Sequence, residues 1–227
     1  MQEELLRIFS DYLEDVEYLN QEQKVMFLRL CTESKKLITF CYDCFLCMNG
    51  GNEKAEIEEK QWNFYMDSQC HLDLGTEKIM LNSEDMRELL GKIIDIFEPV
   101  YPLGTVVELK EDFIRSLKLQ SPDRKVKAVI VERFTATKDK QTYFPYVGVI
   151  YPVGTLGYGR FLHFTSALVD SVVQDGYRDE MEDAYVLLMK KELLLDHDAV
   201  SFGFLQREQA ERYREELGVG KNGEEGD

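Results

Sequence analysis

Three cysteines recur at intervals of three residues, at Cys41, Cys44 and Cys47. This spacing is typical of part of an iron–sulfur ligand run, and Cys70 with His71 could complete a ligand set. The run lies in an unbroken helical pattern, however, without the Gly or Pro that would let the chain wrap around a cluster. A free cysteine in such a stripe behaves as a small hydrophobic residue. We therefore expect the thiols to pack in the core, with no metal and no cofactor.

His163 is the candidate for proton transfer, with Asp170 as the residue that could orient its ring. General-base catalysis needs such a pair within hydrogen-bonding reach. The sequence contains neither Gly-x-Ser-x-Gly nor His-Glu-x-x-His, so a hydrolase has little support. A histidine packed on a strand is the simpler interpretation. We predict no catalytic residue and a protein that is not an enzyme.

A short glycine-rich stretch contains Gly154, Gly157 and Gly159. A phosphate-binding loop would need a helix to begin directly after it, so that backbone N–H groups point at the phosphate. Residues 160–165 have the pattern of a strand instead. The sequence therefore favours a hairpin-like connection over a nucleotide site.

The elements that position these residues change type near residue 98. Apolar residues at intervals of three and four predict helices over 3–19, 20–48, 53–67 and 82–97. Asn20 and Gln23 have the spacing of a capping box, which marks the start of the second helix. The first 97 residues are therefore predicted to be a helical N-terminal region.

Beyond Pro99, β-branched and aromatic residues predict strands over 105–109, 126–134, 143–151 and 160–165. Residues 169–173 fit a fifth strand or a helical turn, and helices are predicted over 177–196 and 205–217. Residues 98–217 thus form a predicted α+β domain, and 218–227 a disordered tail. The predicted fold class is α+β: a helical N-terminal part, then a small, mainly antiparallel sheet with C-terminal helices.

One five-residue pattern occurs twice, as Tyr101-Pro-Leu-Gly-Thr105 and as Tyr151-Pro-Val-Gly-Thr155. Proline sets φ near −65° and the glycine two residues later permits a positive φ. We predict two similar turns at strand ends, with a structural role.

Charge excludes several classes of function. The 227 residues contain 27 Lys and Arg against 43 Asp and Glu, a formal net charge of −16. Binding to nucleic acid or to an anionic membrane surface needs cations, so neither is expected. An acidic start and an odd number of cysteines, five, favour a reduced, cytoplasmic protein. Its expected partners are other proteins, basic ones in particular.

Aromatic residues concentrate between 143 and 161. Because half of the side chains of a strand face outward and tyrosine is favoured at interfaces, part of this group should be exposed. The predicted protein-binding residues are Tyr146, Tyr151, Tyr158 and Phe161.

Three ordered blocks of the second half resemble a bacterial domain-of-unknown-function family, number 4176. They are Tyr101-Pro-Leu-Gly-Thr-Val-Val-Glu-Leu-Lys110, Tyr146-Val-Gly-Val-Ile-Tyr-Pro-Val-Gly154 and Leu168-Val-Asp-Ser-Val-Val-Gln-Asp-Gly-Tyr177. The predicted strand over 126–134 lies between the first and second blocks. A strand containing Phe and His, at 160–165, lies between the second and third and is a fourth block of the family pattern. The resemblance covers about residues 98–185 and leaves the first hundred residues and the C-terminal helices outside it.

The resemblance implies a role beside LXG polymorphic toxins in Gram-positive type VII secretion loci, and it implies no catalytic residues. The first hypothesis is a non-enzymatic accessory protein that binds a secreted toxin as chaperone or export-competence factor. The second is an immunity protein that occludes the active site of the toxin, for example of a nuclease, whose cleft is basic. The third, from a different class, is an enzyme that uses His163 or a cysteine-bound metal.

Overall fold

The structure, a computed structural model, describes residues 1–32, 35–75, 77–116, 125–155, 161–205 and 207–216. It begins with three helices, α1 (Gln2–Asp15), α2 (Gln21–Thr32) and α3 (Lys35–Met48). The predicted capping box is confirmed, because the Asn20 and Gln23 side chains each accept a hydrogen bond from the other's backbone N–H at 2.9 Å. The single helix predicted over 20–48 is α2 followed by α3, with residues 33 and 34 outside the described part.

A four-stranded antiparallel sheet follows, with strands in sequence order: β1 (Lys54–Ile57), β2 (Trp62–Met66), β3 (Cys70–Leu74) and β4 (Glu77–Leu81). The helix predicted over 53–67 was therefore wrong. Trp62 and Phe64 alternate with exposed or half-buried neighbours and point into the core at 5% and 0% exposure. This alternation of buried and exposed side chains has the two-residue period of a strand. Gln61, at φ 55°, separates β2 from the turn before it.

Helix α4 (Ser83–Phe97) is the centre of the molecule, and its prediction is confirmed. The Asn82 side chain caps it by accepting from the backbone N–H of Asp85 at 2.8 Å. The ring of Phe97 packs edge-on against Phe9 of α1, with centroids 5.4 Å apart. Since α4 is apolar on most of its circumference, other elements of the fold pack against several of its sides.

A six-stranded sheet forms the second half, with order β10-β7-β6-β5-β9 and β8 paired to β7. Its strands are β5 (Val106–Leu109), β6 (Lys127–Ala136), β7 (Thr142–Tyr151), β8 (Leu162–Phe164), β9 (Val169–Gln174) and β10 (Val200–Ser201). All pairs are antiparallel except β10 with β7. The strands predicted over 105–109, 126–134 and 143–151 are confirmed, and residues 169–173 lie in a strand. Of the strand predicted over 160–165, Leu162–Phe164 is confirmed and residue 160 lies outside the described part.

The remaining helices are α5 (Glu111–Ser116), α6 (Glu180–Lys191) and α7 (Arg207–Glu216). Helix α6 continues into one π-helical turn, Glu192–Asp196. The predicted tail, 218–227, lies outside the described residues.

One hydrophobic core joins residues from both sides of residue 98. It contains Phe27 and Ile93 from the first part together with Val107, Ile130 and Phe164 from the second, all at 1% exposure or less. The α+β fold class is confirmed, and the helical region also contains the four-stranded sheet.

Candidate protein-binding surface

The first of the two similar turns is tied to β6. Gly104 has φ 80°, and its N–H donates to the Ile130 carbonyl at 2.8 Å. The Thr105 hydroxyl donates to the Pro102 carbonyl, also at 2.8 Å. Since a positive φ costs glycine no steric strain, this position explains the glycine of the repeated pattern. The predicted turn is confirmed.

Gly176 lies directly against this turn. Its N–H donates to the Thr105 hydroxyl oxygen at 3.0 Å. A Cβ at position 176 would lie 2.1 Å from the Leu103 carbonyl oxygen. The first and third blocks of the sequence pattern therefore meet here, and the contact admits only glycine.

Tyr146 belongs to the same structural unit and is buried. Its hydroxyl accepts from the Tyr101 N–H at 3.1 Å, and its ring packs against Tyr101 and Phe164 at centroid distances of 5.4 and 5.6 Å. At 1% exposure it cannot contact a partner while the fold is intact. This corrects its predicted place on the binding surface.

Arg133 on β6 attaches helix α6 to the sheet. Its guanidinium forms a two-bond ion pair with Glu182, with Nη2 and Oε2 3.0 Å apart, and the side chains are 3% and 13% exposed. The guanidinium carbon also lies 5.3 Å from the ring centroid of Tyr185. A buried bidentate pair fixes both position and orientation, so α6 is held firmly on its inner side.

The outer side of α6 is apolar and exposed. We call the residues Tyr177, Met181, Tyr185 and Leu188 the α6 outer face; they are 80%, 80%, 41% and 61% exposed. They are spaced by four, four and three residues, which places the three in the helix on one side. Val186 and Lys190 on the opposite side are buried.

Three further exposed apolar side chains lie near the ends of the paired strands β7 and β8. Tyr151, Val153 and Phe161, which we call the 151–161 surface, are 57%, 52% and 54% exposed. Tyr151 and Phe161 thus lie where a partner could reach them, as the sequence predicted, whereas Tyr158 lies outside the described residues. Val153 was missed because the sequence argument considered only aromatic residues.

An acidic cleft of about 440 Å³ lies between the N-terminal part and residues 194–198. Six carboxylate side chains line it: Asp11, Asp15, Glu17, Asp85, Glu88 and Asp198. Three of them have hydrogen-bond partners. Tyr12 donates to Glu88 at 3.0 Å, the Asn82 amide donates to Asp85 at 2.8 Å, and Lys92 donates to Asp198 at 2.6 Å. A concave surface of one sign attracts groups of the opposite charge.

Two carboxylates near the end of α4 lie in an interior polar cluster. Burial raises the pKa of Asp95 to about 7, although its carboxylate accepts from the Ser201 N–H at 3.2 Å. Burial also raises the pKa of Glu98, which accepts hydrogen bonds from Tyr42 and Ser166.

Lys190 of α6 completes this cluster. Its ammonium donates to the carbonyls of Ile96 and Glu98 at 2.6 and 2.8 Å. Burial lowers the pKa of Lys190 to about 8. Because Lys190 donates to two carbonyls at the end of α4, its role is to attach α6 to that end.

The five cysteines are all buried, which confirms their predicted place in the core. Burial raises the pKa of Cys41 and of Cys44, so the reactive thiolate is disfavoured. The part of the chain that the structure describes contains no group of three or more His, Cys, Asp or Glu side chains that could hold a metal ion.

His163 and Asp170 have different partners. The His163 ring packs edge-on against Phe144 at 5.0 Å, and burial lowers its pKa. Asp170 accepts from Lys125 at 2.8 Å. The structure therefore assembles no base and orienting carboxylate from this pair.

Sequence reasoning missed the α6 outer face, although it predicted the helix. The signal was present: within 180–195, apolar residues occupy both the outer positions 181, 185 and 188 and the inner positions 186, 193 and 194. A surface helix is normally apolar on one side. An all-round apolar pattern on a helix at the molecular surface indicates a second contact.

Comparison with known proteins identifies one family. Residues 100–185 match the model of a family described as Domain of unknown function (DUF4176), which confirms the resemblance over this segment. The match includes both Tyr-Pro-x-Gly-Thr segments, the Arg133–Glu182 pair and most of the α6 outer face. No curated protein and no solved structure matches the chain. Among the described helices, none is long and apolar enough to cross a membrane.

Proposed function

We propose that this protein is a non-enzymatic accessory protein of a Gram-positive type VII secretion locus, which binds a cognate LXG-type toxin and keeps it competent for export. The observation that carries the proposal is the exposure of large apolar side chains on the segment that matches the family, the 151–161 surface above all. Contiguous exposed apolar side chains mark interaction sites in soluble proteins.

The secretion context comes from the resemblance, and the binding role comes from the surface. Bound to a toxin in the cytoplasm, the 151–161 surface would cover apolar side chains that otherwise cause aggregation. The net charge of −16 would accelerate encounter with a basic toxin, while apolar contacts would set the lifetime of the complex.

The acidic cleft favours a second candidate, an immunity protein. A nuclease binds its substrate with a basic cleft, and a surface lined by six carboxylates has the complementary charge. In that function the protein would occlude the active site of the toxin.

The proposal is tested by deleting the gene in the native host and measuring the cognate toxin in the culture supernatant. Wild type should restore export, and a Tyr151→Ser/Phe161→Ser variant should restore much less. Met80→Ser is the matched control, because Met80 is 60% exposed on the other sheet. Normal export without the protein would refute the chaperone function.

The two candidates differ in the toxin domain that they bind. A chaperone should bind the LXG domain and leave growth unprotected when the toxic domain is expressed inside the cell. An immunity protein should bind the toxic domain and rescue growth, with loss of rescue when Asp15 and Glu17 in the acidic cleft are replaced by Lys.

A further inference from the structure

The α6 outer face is an apolar surface on a helix that is already packed. Val186 and Leu193, on the inner side of the helix, are buried. Met181 and Leu188, on the outer side, are 80% and 61% exposed. A helix that is apolar on both sides is normally covered on both sides. The outer side therefore has the composition of a contact surface rather than of a solvated one.

This face is preformed. Asp179 caps the helix by accepting from the Glu182 N–H at 3.0 Å, Arg133 holds Glu182 from below, and Lys190 donates to two carbonyls at the end of α4. A surface that is ordered before binding loses little conformational entropy on association. Such a surface suits a partner that itself becomes ordered on it.

The surroundings of the face are acidic at its N-terminal end. Asp175, Asp179 and Glu180 are exposed there, and Asp175 and Glu180 form no ion pair with any other described residue. The nearby cation, Arg178, lies 3.7 Å from Asp183. A partner with positively charged side chains would therefore complement this end of the face.

The spacing of the face favours a helical occupant. Met181, Tyr185 and Leu188 form a ridge of i, i+4 and i+7 positions, which fits the groove between ridges of another helix. From Met181 to Leu188 the ridge has the length of about two helical turns, roughly 10 Å, and Tyr177 lies just before the helix. A second copy of the chain is disfavoured because each copy carries −16.

From these observations we infer that the α6 outer face is the docking site for a basic amphipathic helix of a second protein, with its Lys or Arg residues over 175–183. The inference deepens the proposed function and rests on it for the existence of a protein partner.

The test uses the full chain and a labelled helical peptide of about 15 residues, with leucines on one side and lysines on the other. In a fluorescence anisotropy titration, Met181→Ser/Leu188→Ser should weaken binding at least about tenfold. Met80→Ser, the control on the other sheet, should leave binding unchanged. Glu180→Lys should also weaken binding, and a peptide with Glu in place of Lys should bind far more weakly.

Several outcomes would overturn the inference: no binding by wild type, equal binding of the two peptides, or equal loss in the control. Wild type that dimerises in sedimentation equilibrium, and becomes monomeric in Met181→Ser/Leu188→Ser, would assign the face to a second copy instead. Because the peptide assay requires no toxin, its failure would leave a successful export test intact.

Discussion

The backbone of Gly176 is packed against the carbonyl of Leu103, so closely that a Cβ at position 176 would lie 2.1 Å from that oxygen. The two residues are far apart in the chain and belong to different blocks of the family pattern. Their contact places the connection between β9 and α6 on the Tyr101–Thr105 turn. The contact explains in physical terms why the pattern contains glycine at position 176.

Gly176→Ala should destabilise the fold by about 1–3 kcal/mol, because a rigid backbone atom must move to admit the methyl group. Urea denaturation followed by circular dichroism measures the change. Gly91→Ala is the control: its Cβ would meet Phe204 at 3.4 Å, an ordinary contact, and alanine favours the helix. Equal loss in the two variants would contradict the packing argument.

The Arg133–Glu182 ion pair should contribute more to the stability of the fold than an exposed ion pair does. Glu182→Ala leaves a buried guanidinium without its anion. This change should lower the free energy of unfolding by about 3–5 kcal/mol. Arg133→Met/Glu182→Leu replaces both charges by apolar groups and should cost less than Glu182→Ala. Chemical denaturation of Arg133→Met, Glu182→Leu and the double variant completes the cycle.

The exposed pair of Arg7 and Glu4 is the control for this cycle, since both side chains are about half exposed or more. Its coupling energy should be about 0–1 kcal/mol. Additive effects at Arg133 and Glu182 would show that the two groups do not act as a pair.

The buried thiols should react slowly in the native protein. The thiolate is the reactive form, and burial raises the pKa of Cys31, Cys41 and Cys44. Labelling with a thiol reagent should therefore be negligible in buffer and reach all five cysteines in urea. Val25→Cys provides an internal standard, because Val25 is 57% exposed. Thiols that become reactive after a chelator is added would instead point to a metal.

Elements whose signals are local were predicted well from the sequence. The capping box at Asn20 and the start of α4 near residue 82 each depend on residues within one turn, and both are confirmed. Long runs of β-branched and aromatic residues likewise predicted β6 and β7 with boundaries within two residues at each end.

The four-stranded sheet was missed because its strands are short and its stabilising contacts are non-local. Glu56, Glu58 and Glu59 are helix formers, which favoured a helix over 53–67. In the structure, Trp62 pairs with Leu74 and Phe64 with Leu72 across the sheet. Those pairings outweigh the local preference.

The binding surface was predicted in part, because exposure is not encoded in residue type. Tyr146 and Tyr151 lie on the same strand, yet they are 1% and 57% exposed. Tyr146 packs against Tyr101 and Phe164, which are remote in sequence, whereas Tyr151 is the last residue of the strand. The concentration of aromatic residues identified the segment 143–161. Only the packing in the structure shows which of these residues are buried and which are exposed.

The buried carboxylate of Asp95 should make stability depend on pH. Its pKa is raised from the ordinary 3.8 to about 7 in the folded state. Between about pH 4 and pH 7 the folded protein therefore retains a proton that the unfolded chain has released. The free energy of unfolding should fall as pH rises through this window, by at most about 1.4 kcal/mol per pH unit, and level off above pH 7.

Asp95→Asn removes this titration while its amide oxygen still accepts from the Ser201 N–H. Relative to wild type, the variant should gain stability from pH 5 to pH 7, measured by urea denaturation at each pH. Lys190, whose pKa is lowered to about 8, acts in the opposite direction at higher pH, so the series stops near neutrality. Asp175→Asn makes the same chemical change at the surface and should differ from wild type by a constant amount, within about 0.5 kcal/mol. If the stability of Asp95→Asn also differs from that of wild type by a constant amount across the pH series, Asp95 is already ionised in the folded protein. The polar cluster at the end of α4 would then contain a carboxylate charge that Lys190 compensates.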